Sequence, residues 1–414
     1  MGLYWRRVQG LQWNARRYLW STVFFAVNMS LSSLLLNLYL TALGFDAAFI
    51  GLNSAVLSGA RLICALPAGM IADRLGRKLS MVLGLSGMAL AQLAVVTLTQ
   101  GWMIVGAYLF SGVLGTLYMT SVAPFLTENS DPEQRAILFT LDSGLMNASS
   151  FVTSIVGGYL PGLAALLLWV DAESTVAYRS VLLVAVGAMF LAALPILTLK
   201  EARDPRPAQP MRLSLRIRGR FPNPRRMVQL VLPRMLMAFG AGLVFPFLNL
   251  FFKERFAVSD ASLGWIFGIT NIFAAAAMLG GGVIAERLGK LRAMLYARLL
   301  SLPGLLVIGF VPVLPIAVVA HWLRSGLMRL GEPLYMAFAM EQLGEEERAT
   351  GSSMLSTGWN VGWSIGPYVS GLLQPQVGWE ALFVGTVLFY TTSLVCTYQF
   401  FMRPSKEGRG TAQL

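Results

Sequence analysis

The stretch from His321 to Tyr335 carries the densest chemistry in this sequence, and it lies inside a long apolar run. Wound as a helix at about 100° per residue, His321, Arg324, Met328, Arg329, Glu332 and Tyr335 fall within an arc of roughly 140°. Ionisable groups at membrane depth cost roughly 2.5–3.5 kcal/mol each on insertion scales, so such a face turns toward protein or water. Two readings stay open. Arg329 and Glu332, three residues apart, can pair on one helix and merely neutralise each other. Alternatively Arg324 or Arg329 binds a substrate, and Glu332 is a proton-linked switch.

Other polar residues interrupt neighbouring apolar runs. Arg61 lies near the middle of the second run, too deep to snorkel; it contacts a ligand, pairs with Asp142 or packs internally. Asp142 is the only acid within the fifth run and forms a stripe with Met146, Ser149 and Thr153. Arg234 and Arg298 lie near the ends of their runs, where long cationic side chains reach the interface. Asn28, Ser32 and Asn37, with Asn249, offer polar groups to a cavity. Trp359 and Trp363 flank Asn360, either as an aromatic wall for an amphipathic ligand or as packing.

Several chemistries have no residues to support them. The sequence has one histidine, and Cys64 and Cys396 both lie in apolar segments. A disulfide framework or a metal site is therefore not expected. No GxxxxGK[ST] loop is present for a nucleotide, and no cofactor is implied. An enzyme would need a nucleophile–base pair, and His321 has no evident serine or cysteine partner.

The elements that must hold these residues are membrane helices. Of 414 residues, 56% are hydrophobic and 13% charged, with mean hydropathy +0.64. Soluble domains carry about 25% charged residues. Runs of about 20 or more apolar residues cover roughly 19–43, 48–72, 79–98, 102–126, 136–160 and 178–199. A second set covers roughly 227–252, 261–285, 291–311, 315–340, 349–373 and 379–402. The spacing predicts an all-α membrane protein of twelve transmembrane helices, with a long loop over about 161–177. The segment from Lys200 to Arg226 holds nine basic and two acidic residues, a net +7. Arg6, Arg7, Arg74, Arg77, Lys78, Arg287, Lys290, Arg292, Arg403, Lys406 and Arg409 fall on the same side. Basic residues favour the cytoplasm, so both termini and the central loop are expected there. This location explains the net charge of +12 through topology and lipid headgroups rather than nucleic acid.

The chain also repeats itself. Gly69-Met-Ile-Ala-Asp73-Arg74-Leu-Gly76-Arg77-Lys78 is echoed by Gly282-Val-Ile-Ala-Glu286-Arg287-Leu-Gly289-Lys290-Leu291, 213 residues later. The same separation relates Gly51 to Gly264, Glu128 to Glu341, Asn147 to Asn360 and Gly158 to Gly371. Two pseudo-symmetric six-helix bundles are expected, residues 1–200 and 227–414, joined by a basic linker over 201–226. Parallel six-helix repeats with a site between them are one known transporter plan.

These loops, the helix count and the basic linker resemble the major facilitator superfamily. The resemblance implies a secondary active transporter working by alternating access, lined by its first, fourth, seventh and tenth helices. It implies that the signature loop gates exchange, with Asp73 capping the eleventh helix near Ala349; from the residues alone, Arg77 can pair with Glu128, or Arg74, Arg77 and Lys78 only enforce topology. Gly69 is expected to admit a close neighbour, as small residues do in membranes. Many drug–proton antiporters of this family carry an acid in the first helix, where this chain has Asn28 and Asn37. Proton-coupled efflux of a drug or metabolite is the first expectation, with Glu332, Asp142 or His321 as proton carrier. Uptake or exchange of an organic anion is the alternative, and a non-transporting sensor or scaffold is more remote. The expected setting is a monomer in the bacterial inner membrane, contacting lipids, a small-molecule substrate and a coupling ion.

Overall fold

The computed structural model describes residues 12–200 and 224–402. Most of the linker expected over 201–226, and the terminal arginines at 6, 7, 403 and 409, lie outside the described residues. The first six helices are α1 (Trp13–Ala42), α2 (Ala47–Leu75), α3 (Arg77–Thr97), α4 (Gly101–Glu128), α5 (Pro132–Leu168) and α6 (Thr175–Leu197). Then come α7 (Pro224–Phe256), α8 (Asp260–Leu288), α9 (Lys290–Phe310), α10 (Leu314–Glu341) and α11 (Arg348–Phe401). A single 3-10 turn at Phe245–Phe247 interrupts α7, and Gly378, at φ 76°, breaks α11.

Ten of the described helices are long and apolar enough to cross a membrane. Helix α10 has the length, 28 residues, but carries the charges described above. Large apolar side chains cover the outer face, Ile63 and Leu166 each 77% exposed, as lipid contact requires.

Local sequence explains the ends. Asp46, Ser174 and Ser259 cap α2, α6 and α8 by accepting backbone N–H bonds from Phe49, Ala177 and Ser262. Between α2 and α3, and between α8 and α9, one residue makes the turn: Gly76 at φ 87° and Gly289 at φ 79°. A left-handed conformation suits glycine, which explains why both copies of the loop keep it. The loop expected over 161–177 is mostly helix, because α5 runs through Pro161 to Leu168. Apolar helix formers follow that proline, and neighbouring groups in a membrane helix bundle offset its missing N–H.

The halves meet through α5 against α8 and α2 against α11. Among the described residues, one apolar core spans both halves, from Leu31, Tyr39 and Tyr178 to Phe247, Phe251 and Phe383. Toward the signature loops the core divides. Tyr18, Met81, Leu85 and Leu126 belong to a cluster confined to the N-terminal half. Met227, Met294, Leu330 and Phe338 belong to one confined to the C-terminal half. The molecule is thus welded at one end and separable at the other.

Candidate functional site

Glu332 does not pair with Arg329. Its carboxylate meets Arg234 of α7 at 2.6 Å and Arg298 of α9 at 3.6 Å. Both arginines are buried, which corrects the expectation that they snorkel. The reason is tertiary: α7 and α9 present their arginines to the same side of α10 that carries Glu332. Aromatic faces complete the setting. Arg298 stands 5.0 Å from the Tyr335 ring centroid and Arg234 5.3 Å from that of Trp359. The Tyr335 hydroxyl donates to the Leu230 carbonyl, so Tyr335 ties α10 to α7 rather than facing a ligand. Trp359 and Trp363 stack with centroids 5.8 Å apart, and the intervening Asn360 is half-buried.

Arg324 and His321 are likewise packed inside the C-terminal half. The Arg324 guanidinium lies 3.7 Å above the Phe245 ring and donates to the Tyr390 hydroxyl at 3.0 Å. His321 is buried edge-on against Phe252 and Phe267, and neither ring nitrogen has a partner among the described residues. Periodicity puts both on the charged arc of α10. It could not show that aromatic rings from α7, α8 and α11 would cover that end of it.

Arg329 faces elsewhere. It is exposed and lines a cavity of about 430 Å³ between the halves. Ser30 and Ser33 of α1, and Ser143, Asn147, Ser150 and Ser154 of α5, form the N-terminal wall. Asn271 of α8 and Arg329 provide the polar part of the opposite wall, with Met29, Met146, Phe267 and Met278 between. No carboxylate is among these lining residues. The α5 stripe lies one position off the stripe of Asp142, the only acid in that run, and carries no charge of its own. The signal was available: Ser143, Asn147, Ser150 and Ser154 recur at spacings of four, three and four. Asp142 itself accepts a hydrogen bond from Thr22 at 2.6 Å.

The expected amides serve as fasteners. Asn28 is buried and donates to Gln92 at 2.6 Å and to the Ala185 carbonyl at 2.7 Å, joining α1 to α3 and α6. Asn37 donates to the Pro246 carbonyl at 2.6 Å and to Asn249 at 3.1 Å, clasping α1 to α7 across the halves. Arg61 makes neither an ion pair nor a hydrogen bond among the described residues and does not reach Asp142.

At the signature loop, Arg77 pairs with Asp73 at 2.7 Å and with Glu128 at 3.6 Å, the latter as expected. The repeat reproduces that second contact, since Lys290 pairs with Glu341 at the corresponding positions. Lys78 donates to the Leu199 carbonyl at 2.8 Å, while Arg74, Glu286 and Arg287 are exposed in the last turns of α2 and α8. Two expectations are corrected. Asp73 is engaged by Arg77, and α11 starts at Arg348 without a side-chain cap. A Cβ on Gly69 would meet nothing within 4 Å, because the halves share no core at this end.

Close approach occurs at the opposite end. A Cβ on Gly158 would lie 2.5 Å from the Asp260 carbonyl oxygen and one on Gly264 2.5 Å from that of Ser154, so α5 and α8 touch backbone to backbone. Lys253 of α7 reinforces this end. It meets Glu173 and Asp260 at 2.7 Å each and donates to the Tyr178 hydroxyl at 2.9 Å, tying the two halves together. The sequence alone does not join these charges, because their convergence depends on three separate helix ends.

Membrane-length helices from the two halves of the repeat enclose a polar cavity. The family profile described as Major Facilitator Superfamily matches residues 18–231 and again residues 230–413. The chain belongs to that superfamily, and each half matches it separately. It is 25% identical over 142 residues to the uncharacterized MFS-type transporter YdeE of Escherichia coli (strain K12), covering 34% of this chain and 36% of that protein. It is 32% identical over 110 residues to the methylenomycin A resistance protein of Bacillus subtilis (strain 168), covering 26% of this chain and 23% of that protein. These alignments span about a third or less of the relatives' length. A bacterial homologue of the human lysosomal transporter Spinster, crystallised inward-facing and occupied, superposes with a TM-score of 0.74. That match has 16% identity and covers 93% of this chain and 95% of that one. This likeness concerns the fold.

Proposed function

We propose that this chain is a twelve-span secondary active transporter that moves a small, polar, negatively charged organic solute by alternating access. The observation that carries the ligand chemistry is the cavity between the halves. Six hydroxyl or amide groups from α1 and α5 share the space with the Arg329 guanidinium, and no acid among the described residues lines it. Glu332 is already shared by Arg234 and Arg298, which leaves the charge of Arg329 uncompensated. A guanidinium presents a planar fork that suits carboxylate or phosphate. The anion reading is therefore preferred to a cationic drug.

Export driven by protons is the second reading, supported by similarity to the methylenomycin A resistance protein. Asp142, adjacent in sequence to cavity-lining Ser143, is then the carboxylate of choice for coupling. The basic residues around the signature loops favour a cytoplasmic location for that face and for both termini, in a bacterial inner membrane. With the opposite end welded, the cavity then belongs to an inward-facing monomer.

The test is ligand binding to purified protein, using a panel of organic anions and matched lipophilic cations. Arg329→Gln should weaken binding of the preferred anion by roughly tenfold or more, as loss of a charge-assisted bond implies, and leave neutral analogues unaffected. Preferential binding of the cations, or equal anion affinity in parent and variant, would sink the anion reading.

A further inference from the structure

Arg61 stands midway along α2, within a membrane-spanning stretch. Its Nε is shielded and unpartnered, and none of the ion pairs or hydrogen bonds among the described residues includes its guanidinium. A guanidinium at that depth is retained only with a counter-charge or water to face. The structure supplies a space for one. Arg61 borders a hollow of about 160 Å³ within the N-terminal half, alongside Ser32, Gln92, Tyr108 and Ser111. Gln92 is committed, donating to Ser32 at 2.8 Å and accepting from Asn28, so it does not compensate the arginine. No acid among the described residues lines the hollow.

The hollow is separate from the central cavity, yet Met29 lines both. A methionine side chain is flexible enough to serve as a movable wall. A cavity of about 150 Å³ accommodates a molecule of benzene's size, so a halide or a carboxylate with a few carbons fits.

We propose that this hollow is an anion-binding side chamber, anchored by Arg61 and entered from the central cavity past Met29, that takes a small monovalent anion. The anion is either a free halide or the carboxylate head of a short organic acid. This assignment is independent of the ligand reading for the central cavity, because the chamber has its own arginine.

The experiment follows the melting temperature of the full-length protein in detergent. Sodium chloride and sodium acetate are titrated against uncharged acetamide, with ionic strength held by sodium gluconate. A saturable rise with chloride or acetate, and none with acetamide, is expected. Arg61→Gln should weaken the apparent affinity by roughly tenfold or more, whereas Arg255→Gln, at the pair with Glu380 and away from both cavities, should leave it within about twofold. Saturation by chloride alone identifies a free inorganic ion, and saturation by acetate alone identifies a carboxylate head; either supports the chamber. Absence of a saturable rise in the parent overturns it. So does a response that survives Arg61→Gln or disappears only with Arg329→Gln. If Arg61→Gln does not fold, Ser111→Leu keeps the guanidinium and fills the hollow. An unchanged response in that variant overturns the proposal equally.

Discussion

Arg61 in the N-terminal half and Arg324 in the C-terminal half come from non-equivalent helices, yet the 213-residue repeat brings them to corresponding surroundings. The counterpart of Arg324 is Ser111, which lines the hollow beside Arg61. The counterpart of Phe245, whose ring lies under Arg324, is Ser32, another lining residue of that hollow. His321 corresponds to Tyr108 in the same way. In the C-terminal half a phenylalanine fills the space, and the Tyr390 hydroxyl accepts from the arginine. In the N-terminal half a serine leaves the space open, and the arginine has no such partner. The repeat keeps the helical frame, and side-chain volume decides whether a charge within the bundle is satisfied internally or faces a chamber.

The largest expected effect comes from undoing the filled side. Phe245→Ala should lower stability by about 3 kcal/mol, since it opens a cavity and removes the face under Arg324. Thermal unfolding in detergent measures the loss, and a new response to acetate in this variant would make the two halves alike. A loss below about 0.5 kcal/mol would show that the space collapses and that the ring is not what distinguishes the halves. Next comes Glu332→Gln, which strips the carboxylate from two buried arginines and should cost about 1–3 kcal/mol. Adding Arg298→Met should recover part of that cost in a double-mutant cycle, because a buried charge no longer lacks its partner. Additive losses would show that the pair is not coupled. The smallest effect belongs to the repeated loop pair. Arg77→Ala and Lys290→Ala should each change stability by less than about 1 kcal/mol, because these contacts are partly exposed and screened by salt. A markedly larger loss for one of them would show that the two loops no longer do the same job.

The sequence disclosed what repeats and what is periodic. The 213-residue separation anticipated the matched contacts of Arg77 with Glu128 and Lys290 with Glu341. Helical spacing gathered the ionisable residues of α10 onto one arc, but it could not choose their partners. Arg234 and Arg298 come from other helices, and their reach to Glu332 depends on interhelical packing. The cavity stripe on α5 is visible as a period, but serine carries no charge to set it apart from the stripe of Asp142. Gly69 misled for a different reason: a glycine suited to close approach need not be in contact in every arrangement of the halves. Pro161 misled because a breaker in water is tolerated inside a membrane helix.

The backbone contact between Gly158 and Gly264 turns α5 into a lever. Gly158 lies 26 residues beyond Pro132, the first residue of α5 at the signature-loop face. At 1.5 Å per residue that arm is roughly 40 Å long, so a tilt of about 10° about the contact sweeps the far end by about 7 Å. Side chains near the fulcrum shift by a fraction of that distance. A pivot without side chains therefore amplifies a small local rotation into a gap wide enough for a solute.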